Sequence, residues 1–113
     1  MNQSEKRRFL IQALLDERPS CQKQSIPADS ERQKILLRGL MNVRRPRRIG
    51  AEFLRVQDAY LQGETAEKGV TDVAGLTPMQ PGLYLWQGDI TTLKCDAIVN
   101  AANSGMTGCY IPN

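Results

Sequence analysis

The chain has 113 residues, 41% apolar and 24% charged, a size and composition usual for one small globular domain. No apolar run approaches the ~18 residues of a membrane span, and the polar residues 1–8 lead into only a short apolar stretch with no small-residue cleavage site, which speaks against a signal peptide. The net charge is +3; the absence of histidine excludes, within these residues, a Ser-His-Asp triad, a Cys-His dyad and any His-containing metal site, and three widely spaced cysteines (Cys21, Cys95, Cys109) make a poor disulfide framework, so a cytoplasmic protein is expected.

Ser4 can cap a first helix, in which Leu10, Ala13 and Leu14 fall at helical spacing with Ile11 and Leu15 beside them. Pro19 and Ser20 end it, and residues 21–29 read as a loop. Ser30-Glu31-Arg32-Gln33 has the form of a capping box, opening a second helix with Leu36, Leu37, Leu40 and Met41 on one face. Arg44, Arg45, Arg47 and Arg48, interrupted by Pro46, break that helix. A third helix begins near Gly50 or Ala51, carries Phe53, Val56 and Tyr60 at i, i+3 and i+7, and stops at Gly69.

The charge is divided unevenly. Residues 1–50 hold twelve Lys/Arg against five Asp/Glu, and residues 51–113 hold three against seven. The arginine cluster attracts anions, but it has no aromatic neighbour for stacking on bases and Pro46 prevents a continuous basic helix. Nucleic acid is therefore not the expected partner, and neither is a membrane.

Past Leu76 the texture changes. Residues 77–82, Thr-Pro-Met-Gln-Pro-Gly, form a turn-rich connector. Residues 83–87, Leu-Tyr-Leu-Trp-Gln, read as a short strand, and Gly88-Asp89-Ile90-Thr91 as the loop after it. Residues 96–103 begin as a buried apolar strand and end in small and amide residues. Strands apolar on both faces suggest a sheet covered on both sides, an α/β layer architecture, yet two strands without a crossover helix leave unpaired edges. Cys95 reads as a core hydrophobe, and Cys21 carries no signal.

The order Gly88-Asp89-Ile90-Thr91, then Asp96-Ala97-Ile98-Val99-Asn100-Ala101-Ala102-Asn103-Ser104, resembles the opening of the macrodomain family, which binds ADP-ribose. The run Gly108-Cys109-Tyr110-Ile111-Pro112 is similar to its zinc-dependent branch. Ile26-Pro27-Ala28-Asp29, Leu40-Met41-Asn42-Val43-Arg44 and residues 67–73 look like that branch's helical extension. The resemblance implies residues 1–76 as a helical extension, 77–82 as connector and 83–113 as the start of a three-layer α/β/α mixed sheet, incomplete here.

It further implies a hydrolase that removes mono-ADP-ribose from modified protein side chains, with a sirtuin-type ADP-ribosyltransferase as a partner. By resemblance Asp89 accepts a hydrogen bond from the adenine amino group, and Ile90 gives its backbone N–H and packs by the base. Ala101 and Ala102 let the ligand approach the backbone, and Asn103 serves as the catalytic residue beside the distal ribose. Cys109 is the first zinc ligand, the others being expected beyond Asn113, so these 113 residues alone are expected to be inactive. Each residue also has a plainer reading: Asp89 as a turn residue, Asn100 as structural, Cys109 as a solitary thiol. Two other functions stay open, a non-catalytic ADP-ribose-binding remnant and a basic helical interaction segment.

Overall fold

In the computed structural model, residues 1–18 and 25–105 are described. The chain divides into two units, Met1–Gly69 and Val70–Asn113. The first is built of three helices, α1 (Gln3–Asp16), α2 (Ser30–Asn42) and α3 (Ala51–Lys68), in agreement with the helical periodicity.

The helix starts lie upstream of the expected caps. Asn2, not Ser4, caps α1: its Oδ1 accepts from the Glu5 N–H at 2.9 Å, and the Glu5 carboxylate accepts from the Asn2 N–H at 2.7 Å. This reciprocal pair satisfies two backbone donors that no turn of helix can reach. Asp29 caps α2 by accepting from the Arg32 N–H at 2.8 Å, which makes Ser30 the first helical residue and releases Gln33 from capping. At the other end of α3, Gly69 has φ +90°, a backbone state that residues with a Cβ rarely adopt, and the helix stops there.

Leu10, Ile11, Leu14 and Leu15 of α1 pack with Leu37 and Leu40 of α2 and with Phe53, Val56 and Tyr60 of α3, all buried. Each large side chain so buried contributes about 1.5–3 kcal/mol. Leu36 and Met41, expected on the same face, are partly buried against this core.

Within the helical unit lies a buried cation. Arg7 is only 5% exposed; its Nε donates to Gln33 Oε1 at 3.0 Å and its Nη2 to Ser30 Oγ at 3.0 Å. Gln33 Nε2 in turn donates to the Pro27 carbonyl at 2.6 Å. Tyr60 of α3 is buried beside them, and burial pushes its hydroxyl upward in pKa against the influence of Arg7. One guanidinium of α1 is thus held to α2 through neutral partners.

Neither α1 nor α2 has a basic residue in its last turn. Arginines from beyond the helix ends fill that place. Arg44 grips the Glu17 carboxylate with Nε at 2.8 Å and Nη2 at 3.0 Å, and Arg47 Nη2 reaches the same carboxylate and the Glu17 carbonyl, each at 3.1 Å. Arg18 Nη2 donates to the Val43 carbonyl at 2.7 Å.

In the second unit, β1 (Thr71–Asp72) pairs in parallel with β2 (Leu93–Lys94), Thr71 opposite Leu93 and Asp72 opposite Lys94. Residues 80–83 make a tight turn, Gly82 at φ +76° following Pro81, with the Leu83 N–H donating to the Gln80 carbonyl at 2.9 Å. The strands expected at 83–87 and within 96–103 are not formed among the described residues. A ladder needs a partner for its backbone groups, and no strand lies beside either segment here. Helices with a small parallel sheet are compatible with an α/β class. No described helix is long and apolar enough to cross a membrane.

Two outcomes follow for the helical unit. Gln33→Ala leaves the buried Arg7 short of its main acceptor and is expected to cost about 2–4 kcal/mol, read as a lowered midpoint in urea unfolding followed by helical circular dichroism. The Arg44 hydrogen bonds, with Arg47 adding to them, hold the Glu17 carboxyl below the usual carboxylate range. A depressed folded pKa means stability present above the unfolded value, about 4.3, and lost as pH falls through the folded one. Thermal melting followed by circular dichroism should therefore fall as pH drops below about 4, and less steeply in Glu17→Gln.

Candidate functional site

The segment from Trp86 to Lys94 is the most tightly specified part of the second unit. Asp89 Oδ1 accepts from the Thr91 N–H at 3.0 Å and from the Thr91 hydroxyl at 2.6 Å. The Asp89 carbonyl accepts from the Thr92 N–H at 2.9 Å and the Thr92 hydroxyl at 2.7 Å. Four bonds to one residue fix a single 3₁₀ turn, Ile90–Thr92, and deliver the chain into β2. Thr92 is buried, while Asp89 and Ile90 are exposed.

Gly88 has a steric reason to be glycine. A Cβ there would overlap the indole ring of Trp86, so the ring packs where a side chain would otherwise stand. The hydroxyls of Thr91 and Thr92 and the Trp86 ring are the local groups that the sequence reading passed over. The signal was present in the Asp-x-Thr-Thr spacing, since a threonine two or three residues after an aspartate can close such a turn.

Ala101, Ala102 and Asn103 lie in an exposed stretch without regular secondary structure, residues 97–103. Asp89 and Ile90 therefore share one turn, and Ala101, Ala102 and Asn103 share one irregular segment. A depression of about 530 Å³ in this unit is lined instead by Asp72, Val73, Lys94, Cys95, Asp96 and Ala97. There the Asp72 carboxyl is held below its ordinary range, first by the Ala74 N–H and then by Lys94, whose Nζ lies 3.3 Å away.

Cys95 is exposed rather than part of a core, its Sγ 4.0 Å from the Leu93 carbonyl. Cys109 and Cys21 lie outside the described residues. Among the described residues no group of three His, Cys, Asp or Glu side chains is placed to hold a metal ion.

Comparison with known proteins gives a consistent result. The chain is 55% identical over 116 residues, 99% of its length, to a protein of Treponema medium named Protein-ADP-ribose hydrolase, of which the match covers 44%. It is 43% identical over 106 residues, 93% of its length, to proteins of the same name from Staphylococcus aureus strains Mu50 and MRSA252, covering 40% of each. The chain thus spans less than half the length of the curated relatives it matches. No protein-family model matches it.

Gly88→Ala should force the indole of Trp86, the chain's one tryptophan, away from the turn. A red shift in tryptophan emission relative to the parent chain is the expected outcome, and an unchanged spectrum would show that the ring does not rest on Gly88.

Proposed function

We propose, from its likeness over nearly its whole length to proteins named Protein-ADP-ribose hydrolase, that this chain carries part of such a hydrolase. The activity is assigned to these residues together with the remaining length that the relatives possess. The observation that carries the proposal is the 55% identity over 99% of the chain, a span that includes both the turn at Asp89 and the segment ending in Asn103. The substrate is a protein bearing mono-ADP-ribose, and the fold of the complete protein is a macrodomain, in the cytoplasm. A sirtuin-type ADP-ribosyltransferase that installs the mark is the proposed partner.

The chemistry of the residues suits these roles. The carboxylate of Asp89 is a pure acceptor at neutral pH, matched to the adenine amino group, and its turn holds it in a fixed place. Ile90, exposed beside it, offers apolar surface to the base. Ala101 and Ala102 keep side-chain bulk away from the ligand. Asn103 presents a donor and an acceptor, enough to hold two hydroxyls of the distal ribose and orient its anomeric carbon. Charge develops on that ring as the bond to the protein side chain breaks, so an amide fixed there contributes more in the transition state than in the bound substrate.

Zinc does not fit the described residues, among which no three candidate ligands come together to hold it, and the sequence has no histidine. Cys109 is the first ligand this proposal assigns, with further ligands outside these 113 residues.

The test is a chimera in which residues 1–113 replace the matching stretch of the Treponema medium relative. Asn103→Ala should lower single-turnover hydrolysis of a mono-ADP-ribosylated protein about a hundredfold while changing ADP-ribose affinity little. Asp89→Ala should raise the ADP-ribose dissociation constant about tenfold, with a smaller effect at saturating substrate. A chimera that binds and cleaves nothing, while the parent relative does both, would overturn the proposal.

A further inference from the structure

Beside the C-terminal ends of α1 and α2 lies an open depression of about 770 Å³, formed by residues 17–18 and 43–47. Four guanidiniums line it, those of Arg18, Arg44, Arg45 and Arg47, against the single carboxylate of Glu17. Arg48 follows directly and is exposed, as is Arg45. We propose that this arginine loop is a docking surface for an acidic protein segment, which it recognises through carboxylate side chains.

Three observations carry the proposal. The first is a built-in precedent: the loop already holds one carboxylate, with Arg44 bidentate on Glu17 and Arg47 on the same group. Parallel N–H donors at 2.8 and 3.0 Å are the geometry by which guanidinium selects carboxylate. The second is that the loop is held in shape. Arg44 Nη1 and Nη2 also donate to the Arg47 and Arg48 carbonyls, each at 3.2 Å, and Pro46 fixes the backbone between them. Arg45 and Arg48 therefore project from a braced loop, and no ion pair or side-chain hydrogen bond engages either guanidinium among the described residues. Arg47 keeps half of its side chain in solvent.

The third observation chooses the class of partner. Among the described residues no aromatic side chain lines the depression, so bases would find no stacking surface, and the Glu17 carboxylate would repel a continuous run of phosphates. Discrete carboxylates separated by neutral residues avoid both obstacles, and the Val43 and Pro46 side chains supply apolar surface between the charges. The cationic excess would also speed encounter with an acidic protein surface, in a salt-dependent way. This surface is independent of the ADP-ribose chemistry proposed above, since it belongs to the helical unit alone.

The experiment uses the 113-residue chain and a labelled peptide of alternating glutamate and glycine, with binding followed by fluorescence anisotropy at low and at physiological salt. The double variant Arg45→Glu/Arg48→Glu should weaken binding about tenfold or more, while the charge-matched Arg32→Glu/Arg55→Glu, on exposed helical positions, should weaken it less than about threefold. Circular dichroism establishes that both variants keep the parent helical content. Three results would each overturn the proposal: equal loss in the two variants, which would mean net charge alone; no binding by the parent chain; or tighter binding of a single-stranded oligonucleotide of equal charge, which would make the partner nucleic acid.

Discussion

The helical unit depends on how a buried positive charge is satisfied. Arg7 is buried beside a core of leucine, isoleucine, valine and aromatic side chains, and among the described residues no carboxylate forms an ion pair with it. A buried guanidinium without acceptors would cost several kcal/mol, so the positions of Gln33 and Ser30 on α2 are constrained by it. An apolar core alone tolerates sliding and rotation of one helix on another. A single charge that needs named acceptors on the neighbouring helix does not, and it sets the register of α1 on α2.

That network was hidden in the sequence by a cap that was read one residue late. Ser30-x-x-Gln33 has the form of a capping box, and the form was misleading because Asp29 is an equally good acceptor one position earlier. Once Asp29 caps, Gln33 moves from the helix entrance to the core-facing side. The same competition put Asn2 ahead of Ser4, where Glu5 completes the reciprocal bond. The helices themselves were legible because three independent signals agreed: apolar spacing, arginine and proline interruptions, and Gly69 at the stop. Gln3 shows the limit of such signals. Its side chain lies where a Cβ on Gly63 would stand, a packing constraint between distant positions that no local pattern records.

The second unit was legible in a different way. Its turns were visible, from Pro81-Gly82 to Asp89-x-Thr91, because a turn is decided by the residues inside it. Its strands were not, because a strand is decided by what lies beside it. Leu85 is 78% exposed and Val99 fully so, although both belong to segments with the composition of buried strands. Composition states what a segment needs to bury, and the described residues do not contain the surface that would bury it. The same holds for the candidate site: the geometry fixes the Asp89 turn closely, while the roles of Asn103 and Cys109 rest on likeness to other proteins rather than on any arrangement of side chains.

The arginine loop joins the two kinds of information. A helix ends with unsatisfied carbonyls and a partial negative charge, and α1 and α2 both end without a basic residue in the last turn. Arg18, Arg44 and Arg47 supply that charge from outside, so their number is first explained by helix termination. Arg45 and Arg48 are not explained in this way, since neither side chain engages a helix end among the described residues. A loop that needed only to finish two helices would be complete with three arginines, and two lysines or neutral residues would serve at the other positions. Five guanidiniums placed together repel one another, at a cost that grows as salt falls. Such a cluster lowers its own stability, and an acidic partner that relieves the repulsion on binding therefore gains that stability back as affinity.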